Sequence, residues 1–416
     1  MLVDFVVKNF GPFKDEAILT MTAQSGSEHP DNYIVTKAAG KVLTSAAIFG
    51  PNATGKTYLI EALEYLKRMI IFPALPKAPV YAYNPFRLSR ETKNAPTEMN
   101  IRFISKNVLY DYHISFNGQR ILTEGLLHYP NGKKAEVFNR SMDNIEFGRT
   151  ARAPASISKM VPPNTTCVLA AAQLNNEICK NVHNWFFDEL MIVTTLDEGK
   201  ILEIFVNRIN TDKEFKERAI NAMKIADFAI ADVQGTIKKR KIQDMPGIPT
   251  QMKGLMMMAG NEEMNQTEIF LLHDIEGEGL TPEDKKFPIQ LESAGTVRFM
   301  SLIGPTLDSL TYGKTLVIDE FGQKIHSKLS RWIVDLFCDS RQNTGGGQLI
   351  FNTHSTHLMD QDIFRRDQIY LVNKNEKGES ELFSISDFGE RKDRVILTSY
   401  LDGKYGAIPF IDEGPV

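Results

Sequence analysis

The chain is poor in cysteine, with three in 416 residues: Cys167, Cys179 and Cys338. They form no CxxC pair and no even set, which argues against a disulfide framework or a cysteine-built zinc site. They read as reduced thiols of a cytosolic protein. Long apolar runs are missing too. No stretch approaches the roughly 20 residues that a membrane-spanning helix needs, and the opening "MLVDFVVKNF" places an acid where a secretion signal would be apolar. The expectation is a cytoplasmic protein with no membrane partner. Nor is there an excess of positive charge. Lys+Arg number 48 against 52 Asp+Glu, a formal net charge of −4, so any nucleic-acid contact has to be a local patch. Internal repeats, sustained heptads and long low-complexity linkers are also absent.

A 42% hydrophobic and 24% charged composition is globular, and the length suits one large α/β domain with an inserted subdomain. The start, "LVDFVVKNFGPFKDEAILTMTA", alternates around a Gly-Pro turn like an antiparallel hairpin. "SAAIF" (45–49) is a short buried strand in pattern, and Leu59, Ile60, Leu63, Leu66 and Ile70 then recur at helical spacing. Residues 97–150 alternate, with "NGQ" and "NGK" as turns. Residues 177–232 read as helical, and "EIFLLHDI" returns to strand. The last third alternates strands ("KTLVIDE", "QLIFNTH", "DQIYLV", "ELFSI") with helices ("TVRFMSLIGPTLDSL", "KLSRWIVDLFCDS"), which predicts a largely parallel sheet. Three segments are expected: 1–175 with an antiparallel β-rich part, an inserted helical lobe at 176–265, and 266–416.

Residues 49–57, "FGPNATGKT", lie between that first strand and helix. Gly50, Gly55, Lys56 and Thr57 fit G-x-x-x-x-G-K-[ST]. Glycines let the backbone of Asn52, Ala53, Thr54 and Gly55 turn its N–H groups onto phosphate oxygens at the positive end of the helix that continues through Tyr58. Lys56 would reach the β and γ phosphates, and the Thr57 hydroxyl would ligate Mg²⁺. The plain alternative is a glycine-rich turn before a helix.

A phosphate loop alone specifies binding, not hydrolysis. "TLVIDE" supplies carboxylates at the end of an apolar run, where ligands meet an α/β sheet. Asp319 would hold the Mg²⁺ shell, and Glu320 would orient or deprotonate the attacking water. Otherwise the pair is the solvated start of a loop. "QLIFNTHSTHL" (348–358) ends a second strand in Asn352, Thr353 and His354. His354 suits a γ-phosphate sensor, or a structural histidine. His357 makes a His-x-x-His pair for which no third metal ligand is evident. In "LESAGTVRFM", Ser293, Gly295 and Thr296 open a helix. They are either an ordinary cap or a signature loop that presses on a phosphate held by a second subunit.

The order of these elements resembles the ABC-type ATPase heads of the SMC, Rad-fifty, RecF and OLD group, and in particular the bacterial AAA-fifteen and AAA-twenty-one ATP/GTP-binding proteins. The resemblance covers most of the chain, through "VVKNFGPFKD", "AAIFGPNATGKTYLIEAL", "AAAQLNNE", "ESAGTVRFMSLIGPTLDSL", "LVIDE", "QLIFNTHSTHLMD", "FRRDQIYLVNKNEKGESELFSISDF" and "YLDGKYGAIPF". It implies a P-loop NTPase with a mixed central sheet, an antiparallel β lobe and an inserted lobe. It also implies two heads joined head to tail, or a higher even oligomer. Each ATP-Mg²⁺ would lie between the phosphate loop of one head and Ser293, Gly295 and Thr296 of the other, with the Asn9–Phe10 turn near the base or ribose. Thr54 and Thr57 stand where relatives usually carry Ser, Ala294 where Ser or Gly is common, and Phe321-Gly322 where Leu-Asp is usual.

The middle is too short for a long coiled coil, and the chain ends soon after "YLDGKYG", which leaves no room for a fused nuclease as in OLD-type proteins. Members of this group commonly sit in anti-phage operons, so the resemblance implies an ATPase that senses a trigger and controls a separate effector, a nuclease or toxin. The alternative is a RecF-like or SMC-like DNA-binding ATPase of repair or maintenance, with nucleic acid as partner. Lys238, Lys239, Arg240 and Lys241 form the one tight basic run, either a phosphate contact or a solvated face. The methionine cluster "LMMM" at 255–258 is either an adaptable docking surface or core packing.

Overall fold

Strands that are apolar on both faces have to be covered on both, and strands that alternate can leave one face in water. The computed structural model contains both kinds. It describes every residue except 27, 76, 150, 152–156, 195–196, 227–228, 245–251, 254–256, 258–262, 275–280, 282, 389–394 and 408–416. The strands are β1 (Leu2–Lys8), β2 (Ala17–Thr20), β3 (Tyr33–Thr36), β4 (Gly40–Leu43), β5 (Ser45–Phe49), β6 (Thr97–Ser105), β7 (Val108–Phe116), β8 (Ile121–Tyr129), β9 (Ala135–Ser141), β10 (Asn144–Phe147), β11 (Leu190–Val193), β12 (Ile230–Lys241), β13 (Glu263–His273), β14 (Lys286–Pro288), β15 (Thr315–Ile318), β16 (Gln348–Asn352), β17 (Ile369–Lys374) and β18 (Ser380–Ser384). The longer helices are α1 (Lys56–Ile71), α2 (Cys167–Gln173), α3 (Glu177–Asn184), α4 (Glu198–Thr211), α5 (Lys213–Ala226), α6 (Ala294–Tyr312) and α7 (Ser327–Cys338).

The chain divides into two compact units: Met1–Val193 with Ser309–Gln323 and Ser330–Val416, and Thr194–Asp308 with Lys324–Leu329. These divisions fall at other places than the 175/176 and 265/266 boundaries expected from sequence.

The first unit holds a six-stranded sheet in the order β11-β15-β16-β5-β17-β18. Its first five strands are mutually parallel, and β18 runs antiparallel to β17. The same unit holds a seven-stranded antiparallel sheet, β10-β9-β8-β7-β6-β1-β2. The apolar face of α1 (Leu59, Ile60, Leu63, Leu66, Ile70) shares one core with Phe5 and Val7 of the antiparallel sheet and with Ile48, Val317 and Ile350 of the parallel one. Because β16 pairs with both β15 and β5, the loops that follow these three strands leave the sheet side by side at its carboxyl edge.

The second unit contains α4, α5 and a three-stranded antiparallel sheet, β12-β13-β14. Two stretches therefore depart from the helical expectation for 177–232. Leu190–Val193 is a strand that pairs in register with β15, and Ile230 begins the long strand β12. A four-residue apolar run fits helix and strand equally, and its partner decides.

A buried ion pair ties the antiparallel sheet to α2. The Glu124 carboxylate is fully buried; it accepts from the N–H groups of Cys167 (2.8 Å) and Val168 (3.2 Å), from the Tyr112 hydroxyl (3.0 Å) and from Arg140 (3.4 Å). Arg140 also donates to the Thr165 and Met142 carbonyls. Burial pushes the Glu124 carboxyl up, against the pull of Arg140 and of the two helix N–H groups. Removing one partner strands a buried charge. Glu124→Ala is therefore expected to destabilise the fold by about 3–5 kcal/mol, read as a lower urea midpoint; a midpoint equal to wild type would refute the anchoring role.

Candidate functional site

The loop from Gly50 to Gly55 is shaped by positive φ angles at Gly50 (146°), Ala53 (61°) and Gly55 (112°). The β17–β18 hairpin supports it from outside. Ser380 donates through its hydroxyl to the Thr54 carbonyl at 2.5 Å, and Lys374 reaches the Ala53 carbonyl at 3.4 Å. Thr54 is buried and donates back to the Pro51 carbonyl at 2.9 Å, while Asn52 stays exposed. Lys56 is buried too. Its ammonium donates to the Gly50 and Pro51 carbonyls at 2.8 and 2.7 Å, so it lies across the mouth of its own loop. Burial pushes this ammonium down to about 8, against the pull of Asp319 and Glu320.

Asp319 and Glu320 follow β15, with the Asp319 N–H on the Val193 carbonyl at 3.0 Å. The Thr57 hydroxyl donates to Asp319 Oδ1 at 3.1 Å. Asn352, at the end of β16, meets the same carboxylate through its side-chain amide at 2.5 Å and accepts the Glu320 N–H at 2.6 Å. Glu320 itself has φ 54°, left-handed for a side chain that prefers otherwise. Thr353 donates through its hydroxyl to the Phe321 carbonyl at 2.6 Å. His354 is exposed, and its imidazolium is disfavoured first by partial burial and then by the Lys56 charge, so the ring is held neutral at ordinary pH. Lys56, Thr57, Asp319, Glu320 and His354 come from three distant segments of the chain, and they share one end of the parallel sheet.

Beside the loop opens a cavity of about 430 Å³, lined by Gly11, Pro12, Ala53, Tyr58, Arg87 and Lys374 among others. Tyr58 is 40% exposed, and its ring lies against Gly11, where a Cβ would come within 2.5 Å of it. The side chains of Asn9 and Phe10, expected near the base or ribose, turn into the protein. Asn9 is buried, and its amide is committed to the carbonyls of Thr92, Ala95 and Pro96 and to the N–H of Phe86. Phe10 is fully buried, edge-on to Tyr58 and Tyr65. The two residues that follow, Gly11 and Pro12, face the cavity instead. Arg87 belongs to no local pattern, and Lys374 lies in the family-like stretch "FRRDQIYLVNKNEKGESELFSISDF" with no site motif of its own.

The second unit holds the remaining candidates. Ser293 caps α6 with its hydroxyl on the Thr296 N–H at 3.0 Å and pairs with the Thr296 hydroxyl at 2.9 Å. Ser293 is exposed, Gly295 and Thr296 are half-buried, and a Cβ on Gly295 would meet the Lys324 carbonyl oxygen at 2.9 Å. The basic run lies on β12, where Lys238 and Arg240 share Glu268 at 2.7 and 3.4 Å. In the methionine cluster, Leu255, Met256 and Met258 lie outside the described residues, and Met257 is exposed. In the first unit, Phe321 packs in the core on Phe351 with ring centroids 4.6 Å apart, and Gly322 follows at φ 89°.

The hairpin support leaves no room for a side chain at Gly50, where a Cβ would lie 2.3 Å from the Val372 carbonyl oxygen. Gly50→Ala is expected to cost at least about 1–3 kcal/mol, from backbone strain alone. A denaturant midpoint unchanged from wild type would contradict that packing.

Among solved structures, the chain is similar to the SMC head domain from Thermotoga maritima at 13% identity, covering 92% of this chain and 98% of that one, with a TM-score of 0.40. It is also similar to the recombination mediator protein RecF-ATPrS of the RecFOR pathway at 12% identity, covering 92% and 98%, with a TM-score of 0.38. Both scores lie below 0.5, so the fold assignment rests on the chain's own topology and on its family. No curated protein matches it in sequence. No helix among the described residues is long and apolar enough to cross a membrane. The model of one family spans residues 45–360, from β5 and the phosphate loop through Ser293, Asp319, Glu320 and His354, and the chain belongs to that family, described as "AAA domain, putative AbiEii toxin, Type IV TA system".

Proposed function

We propose that the protein is an ABC-type ATPase that binds ATP with Mg²⁺ and hydrolyses it between two heads arranged head to tail. The observation that carries this reading is the meeting of Lys56, Thr57, Asp319, Glu320 and His354 at the carboxyl edge of adjacent parallel strands. The loop N–H groups at the start of α1 and the Lys56 ammonium receive the phosphates. Tyr58, Gly11 and Pro12 offer the neighbouring cavity to base and ribose. The Thr57 hydroxyl and the Asp319 carboxylate are hard oxygen donors 3.1 Å apart, a set that suits Mg²⁺. When bound, Mg²⁺ supplies charge neutralisation at the β and γ oxygens.

Glu320 accepts a proton from the water that attacks the γ-phosphorus. The bond to the bridging oxygen breaks and ADP leaves with that electron pair. Neutral His354 donates a hydrogen bond to the γ-phosphate and holds the water in line. Ser293, Gly295 and Thr296 of a second copy close the site from the other side, so ATP binding brings heads together and hydrolysis lets them part. In a cytoplasmic defence setting, that cycle would sense a phage-derived trigger and control a separate nuclease or toxin. The RecF-like alternative, with DNA as the regulator, draws little from the basic run, because Glu268 pairs with two of its four charges.

Three outcomes test the site. The protonated Lys56 is the form that holds phosphate, and in the unliganded protein it begins to lose its proton at about pH 8. ATP affinity should therefore be at full strength below that pH and weaken by about tenfold per unit above it, as read by titration with a fluorescent ATP analogue. Lys56→Ala should abolish binding, and a flat profile with tight binding in that variant would remove the lysine from the site. Glu320→Gln should bind ATP normally, lose turnover by about 10²–10⁴-fold and accumulate as an ATP-dependent dimer in light scattering. A variant that turns over ATP at the wild-type rate would rule out Glu320 as the base.

A further inference from the structure

Asn352 is nearly completely buried, 2% exposed, and its side chain makes two hydrogen bonds, one to the Asp319 carboxylate and one from the Glu320 backbone N–H, just past the end of the neighbouring strand. Its orientation is fixed by chemistry. The Glu320 backbone N–H can only donate, so the oxygen of the Asn352 amide has to face it, at 2.6 Å. The NH₂ group is then left for Asp319 Oδ1, an acceptor, at 2.5 Å. A flipped amide would set donor against donor and acceptor against acceptor, so only one arrangement satisfies both partners. The Asn352 carbonyl accepts the next N–H along, that of Phe321, at 2.9 Å, and Thr353 takes the Phe321 carbonyl. Residues 352–353 therefore clamp 319–321 from the adjacent strand.

The clamp grips where the backbone is strained. Glu320 has φ 54°, a conformation that a residue with a long side chain leaves unless something holds it. The Asn352 acceptor on its own N–H holds it, together with the Gln323 N–H on the Glu320 carbonyl at 3.2 Å. The other end of the same amide fixes the carboxylate that also takes the Thr57 hydroxyl. We propose that Asn352 is a positioning residue that aims the Glu320 carboxylate, its hydrogen bond to Asp319 serving to hold the amide in the orientation that accepts the Glu320 N–H. The proposal rests on the ATPase reading above. Asn352 does not touch substrate; it acts through Glu320.

That distinction can be measured. Asn352→Leu keeps the side chain's approximate size and removes both hydrogen bonds. Its kcat should fall by about 10–100-fold, the usual effect of losing an outer partner of a reacting group. KM for ATP and the affinity for a fluorescent ATP analogue with Mg²⁺ should stay within about twofold of wild type, because the phosphate loop is untouched and Asp319 keeps its hydrogen bond from the Thr57 hydroxyl. The thermal midpoint shows whether the variant is folded, and if it is not, Asn352→Ala takes its place in the same measurements. In the double variant with Glu320→Gln, kcat should be no lower than in Glu320→Gln alone, because a residue that acts through Glu320 has nothing further to lose. Losses that multiply in the double variant, an unchanged kcat in the single one, or analogue binding that weakens as much as kcat falls would each overturn the assignment. A wild-type protein that binds the analogue without turning over ATP removes the ATPase reading and this assignment with it. Wild-type turnover with an unaffected Asn352→Leu removes this assignment alone.

Discussion

The site depends on one constraint, the insertion of β16 between β15 and β5 with all three strands parallel. All three are buried along their whole length, so their polar residues can come only at the ends. Parallel direction puts those ends on the same edge. The phosphate loop, the Asp-Glu pair and the Asn-Thr-His segment meet there because the sheet order leaves them nowhere else to go. A different neighbour for β16 would keep every motif in the sequence and disperse the chemistry.

Rigidity around the loop comes from outside it. The β17–β18 hairpin contributes Ser380 and Lys374 to carbonyls of the loop and the Val372 carbonyl beneath Gly50. On the other side, Asn9 spends its amide on the segment from Phe86 to Pro96, which carries one wall of the cavity. Asn9 is therefore a scaffold for the site and makes no lining of its own. The turn itself does approach the cavity, through Gly11 and Pro12.

Contiguous patterns were the legible part. "FGPNATGKT" carries its loop, its lysine and its helix start in nine residues, and β5, α1 and β15 form where apolar spacing puts them. β11 falls in a stretch whose pattern predicts helix, because four apolar residues have no period of their own; pairing with β15 makes them a strand. The inserted lobe is expected to be helical, and its long strand β12 emerges from pairing with β13, whose second half does carry the strand pattern "EIFLLHDI". Ser293 could be read as a cap from its neighbours alone, and its hydroxyl on the Thr296 N–H is that cap.

The sequence by itself determined which groups are available: a lysine and a threonine at a helix start, two carboxylates and a histidine at strand ends. Each follows from local pattern, because glycine freedom, apolar runs and helix caps act over a few residues. Only the tertiary structure decided how those groups are aimed. The left-handed Glu320, the bridge from Asn352 to both acids, the depressed Lys56 ammonium and the cavity shared by Arg87 and Lys374 all depend on segments far apart in the chain. Hydrogen bonds and desolvation act across space at a few ångströms, and which residues come that close is settled by strand order and register.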